Sequence, residues 1–518
     1  MILKLELAAM AAAMALSAPA LAAPALAAAP TTAAPDLARD ADAVIAQMMD
    51  LSKDEAAAQD EGQCPAALAE QVDALVSRRG FDALDAFRRD AVLYAVVVCR
   101  PFDDARAVSA ARRLDRDDVP PPILAAASMV LLADAASRND GKGELAALER
   151  AVAADASQVA ALPPEMYGQT VEDLKSDPVA RARALDLLRG LDWPTEDGHD
   201  QVDNDWALVR AQLAADDGDM TRAGAVLDRA GSPHVLLAVA QDRRFAPLWP
   251  QMEAAGRFDW TKVLETALAR AEEQSRREPA NLKRVAYRID HLRSLGRRDE
   301  AIAVGGPVVA RLQAGEAFDD VELSGPMLVA IQAAALSEVG RFDEADALLA
   351  KPVAKDQLTQ NTARAALLLG LDRSADVLKT VDAADASIAS PFGLMWLDEL
   401  RACAHQRLGD EAAARKALDK LREGWRDNPY ALSGALLCLG RDDEAAELMI
   451  RRLRDPALRG DALKAFRDGP DPPVVTPRDA ELDARRRALV ARPEVVAVMQ
   501  TYGRALKVPL SGDYAGGY

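Results

Sequence analysis

The sequence predicts an all-α fold: an α-solenoid of helix–turn–helix repeats preceded by an N-terminal helical region. Three observations carry this. Half of the 518 residues are hydrophobic but only 4% are aromatic, so the core must be mostly Ala, Leu and Val. That composition suits close-packed helices and disfavours sandwiches and barrels, which draw on aromatic and β-branched residues. Apolar residues recur at helical spacing, as in Ile289, Leu292 and Leu295, or Ile331, Ala334, Ala335 and Leu336. Short breaks rich in Gly, Asp or Pro separate these segments at intervals of about 10–16 residues.

Taken from the N-terminus, residues 1–22 predict a signal peptide. Lys4 supplies the basic n-region, Leu7 to Leu16 is an uncharged apolar run, and Ala20-Leu21-Ala22 is a small-residue cleavage site. The run is too short to span a bilayer. The Ala/Pro/Thr stretch at 23–36 predicts a disordered leader. Helical patterning at 37–190 forms the N-terminal region. The stretch 191–204 is acidic, and the oxygen ligands between Asp192 and Asp205 lack the regular spacing of a calcium loop, so a solvated linker is expected. The repeat array occupies 205–468. A Pro-rich break opens 469–518, which predicts two helices, Asp479–Val490 and Pro493–Leu506, and a tail.

The array carries its own punctuation. Gly296 opens GRRDEA, Gly340 opens GRFDEA and Gly440 opens GRDDEA, with looser copies at Gly218, Gly256, Gly370 and Gly409. Each glycine is expected to end a helix in a left-handed cap. The Asp is expected to N-cap the next helix, the Glu to sit in its first turn, and the Ala to allow close helix approach. A hairpin of this kind cannot bury its apolar face alone, so neighbours stack into a superhelix with a concave surface.

These turns resemble the tetratricopeptide repeat (TPR) family, whose inter-helix turn reads G-x-[FY]-x-E-A. The likeness is strongest at Gly340, Phe342, Glu344 and Ala345, extends over about residues 256–455, and includes inter-repeat prolines at Pro279 and Pro429. The family's large aromatics are mostly replaced by Ala, Leu and Val, and repeat length drifts. The resemblance implies that the first helix of each repeat lines a partner-binding groove. Carried over from each turn glycine, the implied groove residues are Lys283, Ala286, Asp290 and Arg293; Met327, Ala330, Ala334 and Ser337; and Trp396, Glu399, Cys403 and Gln406. Trp396 is either a binding anchor or a packing residue.

Four cysteines, Cys64, Cys99, Cys403 and Cys438, are an even count in a chain with an export signal, which favours disulfides. Their spacing favours Cys64–Cys99 and Cys403–Cys438 among three possible connectivities; buried thiols are the alternative.

The formal charge of −19 excludes a basic surface able to neutralise nucleic acid. No nucleophile elbow, phosphate loop or metal-spaced histidine pair is present, and Cys403 and His405 face apart on a helix. No cofactor and no metal is expected. The sequence therefore predicts a non-catalytic scaffold in the periplasm of a Gram-negative bacterium. It would bind a protein or peptide, with no nucleic-acid partner and no membrane-spanning segment in the mature chain. The alternative is a cell-envelope or glycan-processing enzyme with a site in the N-terminal helical region.

Overall fold

The computed structural model describes residues 35–51, 64–100, 104–162, 167–174, 177–191, 206–355, 357–384 and 390–511. The signal peptide, nearly all of the leader, Asp192–Asp205 with His199, and the tail from Gly512 lie outside these residues. The fold is all-α: about three-quarters of it is helical, with 26 helices and a single two-residue strand pair among the described residues. No described helix is long and apolar enough to cross a membrane.

The chain divides into two compact units, 1–213 and 214–518. The division falls between Leu213 and Ala214, inside a helix, rather than in the acidic stretch at 191–204. In the first unit the helices are α1 (Pro35–Leu51), α2 (Ala66–Val76), α3 (Ala86–Val98), α4 (Ala105–Leu114), α5 (Pro121–Ser137), α6 (Gly141–Ala160), α7 (Gly168–Asp173) and α8 (Pro178–Arg189). Pro35 and Asp36, expected in the leader, already belong to α1. One continuous core runs from Leu37 to Trp206. The α3 run from Ala91 to Val98 is buried on every side, as its unbroken apolar sequence requires. The Cys64–Cys99 disulfide ties the end of α3 to the segment entering α2.

Helix α9 (Ala207–Asp216) straddles the boundary. The second unit continues with α10 (Met220–Leu227), α11 (Pro233–Gln241), α12 (Trp249–Ala254), α13 (Trp260–Arg277), α14 (Leu282–Ser294), α15 (Arg298–Gln313), α16 (Val321–Ser337), α17 (Phe342–Leu349), α18 (Leu358–Gly370), α19 (Ser374–Asp382), α20 (Pro391–Arg407), α21 (Glu411–Glu423), α22 (Pro429–Cys438), α23 (Asp442–Arg454) and α24 (Pro456–Lys464). From α14 onward these form helix–turn–helix pairs. The first helices α14, α16, α18, α20 and α22 pack against one another in order, and each also packs on its own second helix.

The turns explain the sequence motif, with two corrections. Gly218, Gly256, Gly296, Gly340, Gly409 and Gly440 all have positive φ, the conformation glycine adopts without penalty. Gly370 does not: it is the last residue of α18, and Asp372 takes the left-handed position at φ 59. The capping expectation divides likewise. Asp219, Asp259 and Asp410 accept backbone N–H bonds as N-caps. In the three GRxDEA turns the N-cap is the arginine, and Asp299, Asp343 and Asp443 are first-turn residues. There the arginine reaches forward to the glutamate. Arg297 donates to Glu300 at 2.8 and 2.7 Å, and Arg341 to Glu344 at 2.7 and 2.6 Å. Arg441 takes one Glu444 oxygen, and Arg422 takes the other at 2.6 Å. The motif thus encodes a glycine cap followed by an Arg–Glu clasp over the new helix start, forked in the first two copies. Its alanines, Ala301, Ala345 and Ala445, are buried between the paired helices.

The last segment comprises β1 (Arg467–Asp468), α25 (Pro477–Val490), α26 (Pro493–Tyr502) and β2 (Leu506–Lys507), with β1 and β2 pairing in parallel. It folds back over the array. Val474 lies against Gly340, Thr476 and Asp479 against Gly370, and Leu482 joins the core around Cys403 and Cys438. It also links the two ends of the unit. Gln241 on α11 donates to Leu463 O at 2.7 Å, and Arg467 donates to Gln241 Oε1 at 2.7 Å. The Arg504 N–H donates to Gln241 O at 3.0 Å.

Candidate functional site

The first helices of the pairs run alongside one another, and their two halves have different fates. The C-terminal halves are covered by the returning segment. Arg293 on α14 holds Asp290 at 3.2 Å and Glu338 at 2.6 Å, and Arg298 takes the other Glu338 oxygen at 2.9 Å. Arg298 Nη2 then donates to Ser511 Oγ at 3.0 Å, and the Ser511 N–H donates to Ser294 O at 3.0 Å. Ser511 Oγ also donates to Arg293 O at 3.1 Å, so Arg293 supports the chain's own C-terminal segment, and Asp290 is tied to Arg293.

The N-terminal halves carry a row of accessible apolar side chains. Tyr287 on α14 is 37% exposed, Leu323 on α16 is 52% exposed and Phe392 on α20 is 48% exposed. Large hydrophobics this open are few in the described residues; Leu323 and Phe392 hold the same place near the starts of α16 and α20, and Tyr287 lies midway along α14. Lys283 lies 5.9 Å from the Tyr287 ring, in reach of a cation–π contact. Met327 is half-buried one turn beyond Leu323, and Trp396 stands edge-on to Phe392 with centroids 6.1 Å apart.

Glu399 completes the α20 row, one turn after Trp396. Its carboxylate lies against Gly434 on α22, where even a methyl group would stand 1.8 Å from Glu399 Oε1. Glu399 is half-buried, with its carboxylate turned toward α22. Among the described residues it has no ion-pair or hydrogen-bond partner. Burial pushes its carboxyl up to about 8. The register is set one turn further on, where Cys403 and Cys438 form a disulfide with Cα atoms 5.4 Å apart.

Of the residues implied by resemblance, Lys283, Met327, Ala330, Ala334, Ser337, Trp396, Glu399 and Gln406 are half-buried. Ala286 and Cys403 are fully buried, so neither lines a groove. Trp396 both packs on the α22–α23 core and keeps accessible surface. Tyr287, Leu323 and Phe392 were not singled out by the sequence. The signal for two of them was present: Leu323 and Phe392 stand at the same offset before Gly340 and Gly409.

Other perturbed groups lie elsewhere. His234 is pushed down to about 3 by burial, then by Lys464, Arg467 and His291, and burial takes His291 down to about 4. Both imidazoles are neutral at physiological pH. In the first unit Glu144 is completely buried beside Asp173 and Thr170, and burial followed by Asp173 pushes it up to about 7. It is sealed from any substrate. Among the described residues no three His, Cys, Asp or Glu side chains group to hold a metal. No protein-family model matches the chain, and no curated protein matches it.

Proposed function

We propose that the second unit is a non-catalytic, TPR-like interaction module of an exported, periplasmic protein, and that its partner is a protein or peptide. The observation that carries this reading is the set of accessible apolar side chains on the first helices, Tyr287 on α14, Leu323 on α16 and Phe392 on α20. Large apolar side chains left exposed on one set of packed helices are of the kind that marks binding surfaces. Two disulfides support export, since such bonds persist in oxidising compartments. The complete burial of Glu144 supports the non-catalytic reading.

The test is affinity capture from envelope extract with the mature chain and with a Tyr287→Ser, Leu323→Ser, Phe392→Ser variant. A stoichiometric partner retained by the wild type and lost by the folded variant supports the module. Equal capture by both moves the interface elsewhere, and hydrolysis of cell-wall material without any partner replaces the scaffold by an enzyme.

A further inference from the structure

Acids in this unit are paired as a rule. Asp398, next in sequence to Glu399, is tied to Arg401 at 3.1 Å and approached by Lys420 at 3.7 Å. Asp461 is held by Lys464 at 2.7 Å, and Glu338 is held by two arginines. Glu399 departs from the rule: it has no cation within reach among the described residues, although arginine is abundant in the chain. Gly434 leaves room for the carboxylate but offers it no donor, because the glycine N–H is committed inside α22.

An unpaired acid in such a place costs stability. A cation arriving from outside would draw the carboxyl, which burial holds protonated, into its ionised form and give it a partner. The rings one and two turns earlier on the same helix face strengthen the case. Trp396 and Phe392 present π-faces that attract ammonium and guanidinium groups. An anionic ligand is disfavoured by the lone acid and by the net charge of −19.

We propose that Glu399, with Trp396 and Phe392 above it on the same face of α20, is the recognition point for a lysine or arginine side chain of a peptide segment lying along the first helices. The inference rests on the reading of that face as the binding surface, and it adds the chemistry of the partner.

The experiment selects a random dodecapeptide display library on the full mature chain. Binding of selected peptides is then measured on wild type and Glu399→Gln. The expected result is enrichment of Lys or Arg at one position, with a loss of affinity of about tenfold or more on Glu399→Gln. Replacing that peptide residue by Gln should weaken wild-type binding equally, and the two changes together should cost little more than either alone. Selected peptides with no basic preference, or unchanged affinity on Glu399→Gln, overturn the inference and leave the binding surface standing. Failure to select any peptide overturns the surface as well. Glu399→Gln removes a buried acid, so it is expected to fold at least as well as the wild type.

Discussion

Glu399 meets Gly434 one helical turn before Cys403 meets Cys438, and both pairs join α20 to α22 at the same separation of 35 residues. The disulfide and the carboxylate slot thus share one register. Asn428 extends it by donating to Phe392 O at 3.2 Å, so the helices are aligned from the exposed ring to the covalent bond.

Glu399→Gln is expected to stabilise the protein above neutral pH. The folded carboxyl titrates at about 8 against an ordinary 4.5. The folded state therefore binds more protons than the unfolded chain between those values, and stability falls as pH rises through that window. No neighbouring charge offsets this. Helix α22 carries no charged side chain. On α20 and α21, Asp398 is paired with Arg401 and Lys420; on α19, Asp376 is paired with Arg373 and Lys379; on α18, Arg364 is paired with Asp346. The gain should be about 1–2 kcal/mol at pH 8–9, moderated by residual solvent contact, and vanish near pH 4. Urea midpoints across pH measure it; a gain independent of pH would contradict the assigned burial.

Reducing the Cys403–Cys438 bond, or replacing both residues by Ser, is expected to cost about 3–4 kcal/mol in the chain-entropy model for a loop of this length. The bond is packed beneath Leu482 of α25. Its loss should loosen the returning segment together with α22, which hydrogen exchange resolves. Protection lost only at residues 403–438 would contradict that coupling.

The helical class, the turn glycines and both disulfides were legible because each depends on local sequence or on spacing. Gly340 and Gly440 must reverse the chain within a few residues, and only glycine does so freely. The course of the C-terminal segment was not legible. Contacts such as Arg504 to Gln241 and Arg298 to Ser511 span more than 200 residues, and nothing periodic encodes them. The segment also reassigns Arg293, which looks like a groove residue by offset from Gly296. Gly370 misleads for the same reason: it occupies a turn position, yet it is glycine to admit Thr476.

That role of Gly370 is testable by the sign of a substitution. In an exposed helix, Gly→Ala stabilises by about 1 kcal/mol. At Gly370 a Cβ would stand 2.9 Å from Thr476 Oγ1 and 3.0 Å from Asp479 Oδ2, both tied into the start of α25. Gly370→Ala should therefore destabilise, by about 1–3 kcal/mol. A stabilised variant in thermal unfolding would show that the segment does not pack there.

Glu144 provides an independent pH test in the first unit. It lies fully buried on α6, with Asp173 and Thr170 of α7 facing it. The nearby charges are otherwise accounted for: Arg181 of α8 pairs with Glu172 at 3.6 Å, Lys142 with Asp177 at 3.6 Å, and Asp140 caps Gly143 at 3.0 Å. With its carboxyl raised to about 7 by burial and then by the neighbouring Asp173, Glu144 keeps its proton to higher pH than an exposed acid. Between pH 4.5 and 7 the unfolded chain loses that proton while the folded chain keeps it. Stability contributed at acid pH is therefore lost as pH rises toward 7. Glu144→Gln keeps the shape of the side chain without the titration. It should be near neutral at pH 4.5 and stabilising by about 1–3 kcal/mol at pH 8. Glu144→Ala should destabilise at pH 4.5, because it leaves a void against α7. The carboxyl ¹³C shift of Glu144, followed from pH 4 to 9, reports the proton directly. A midpoint near 4.5 would contradict the raised carboxyl and the stability prediction with it.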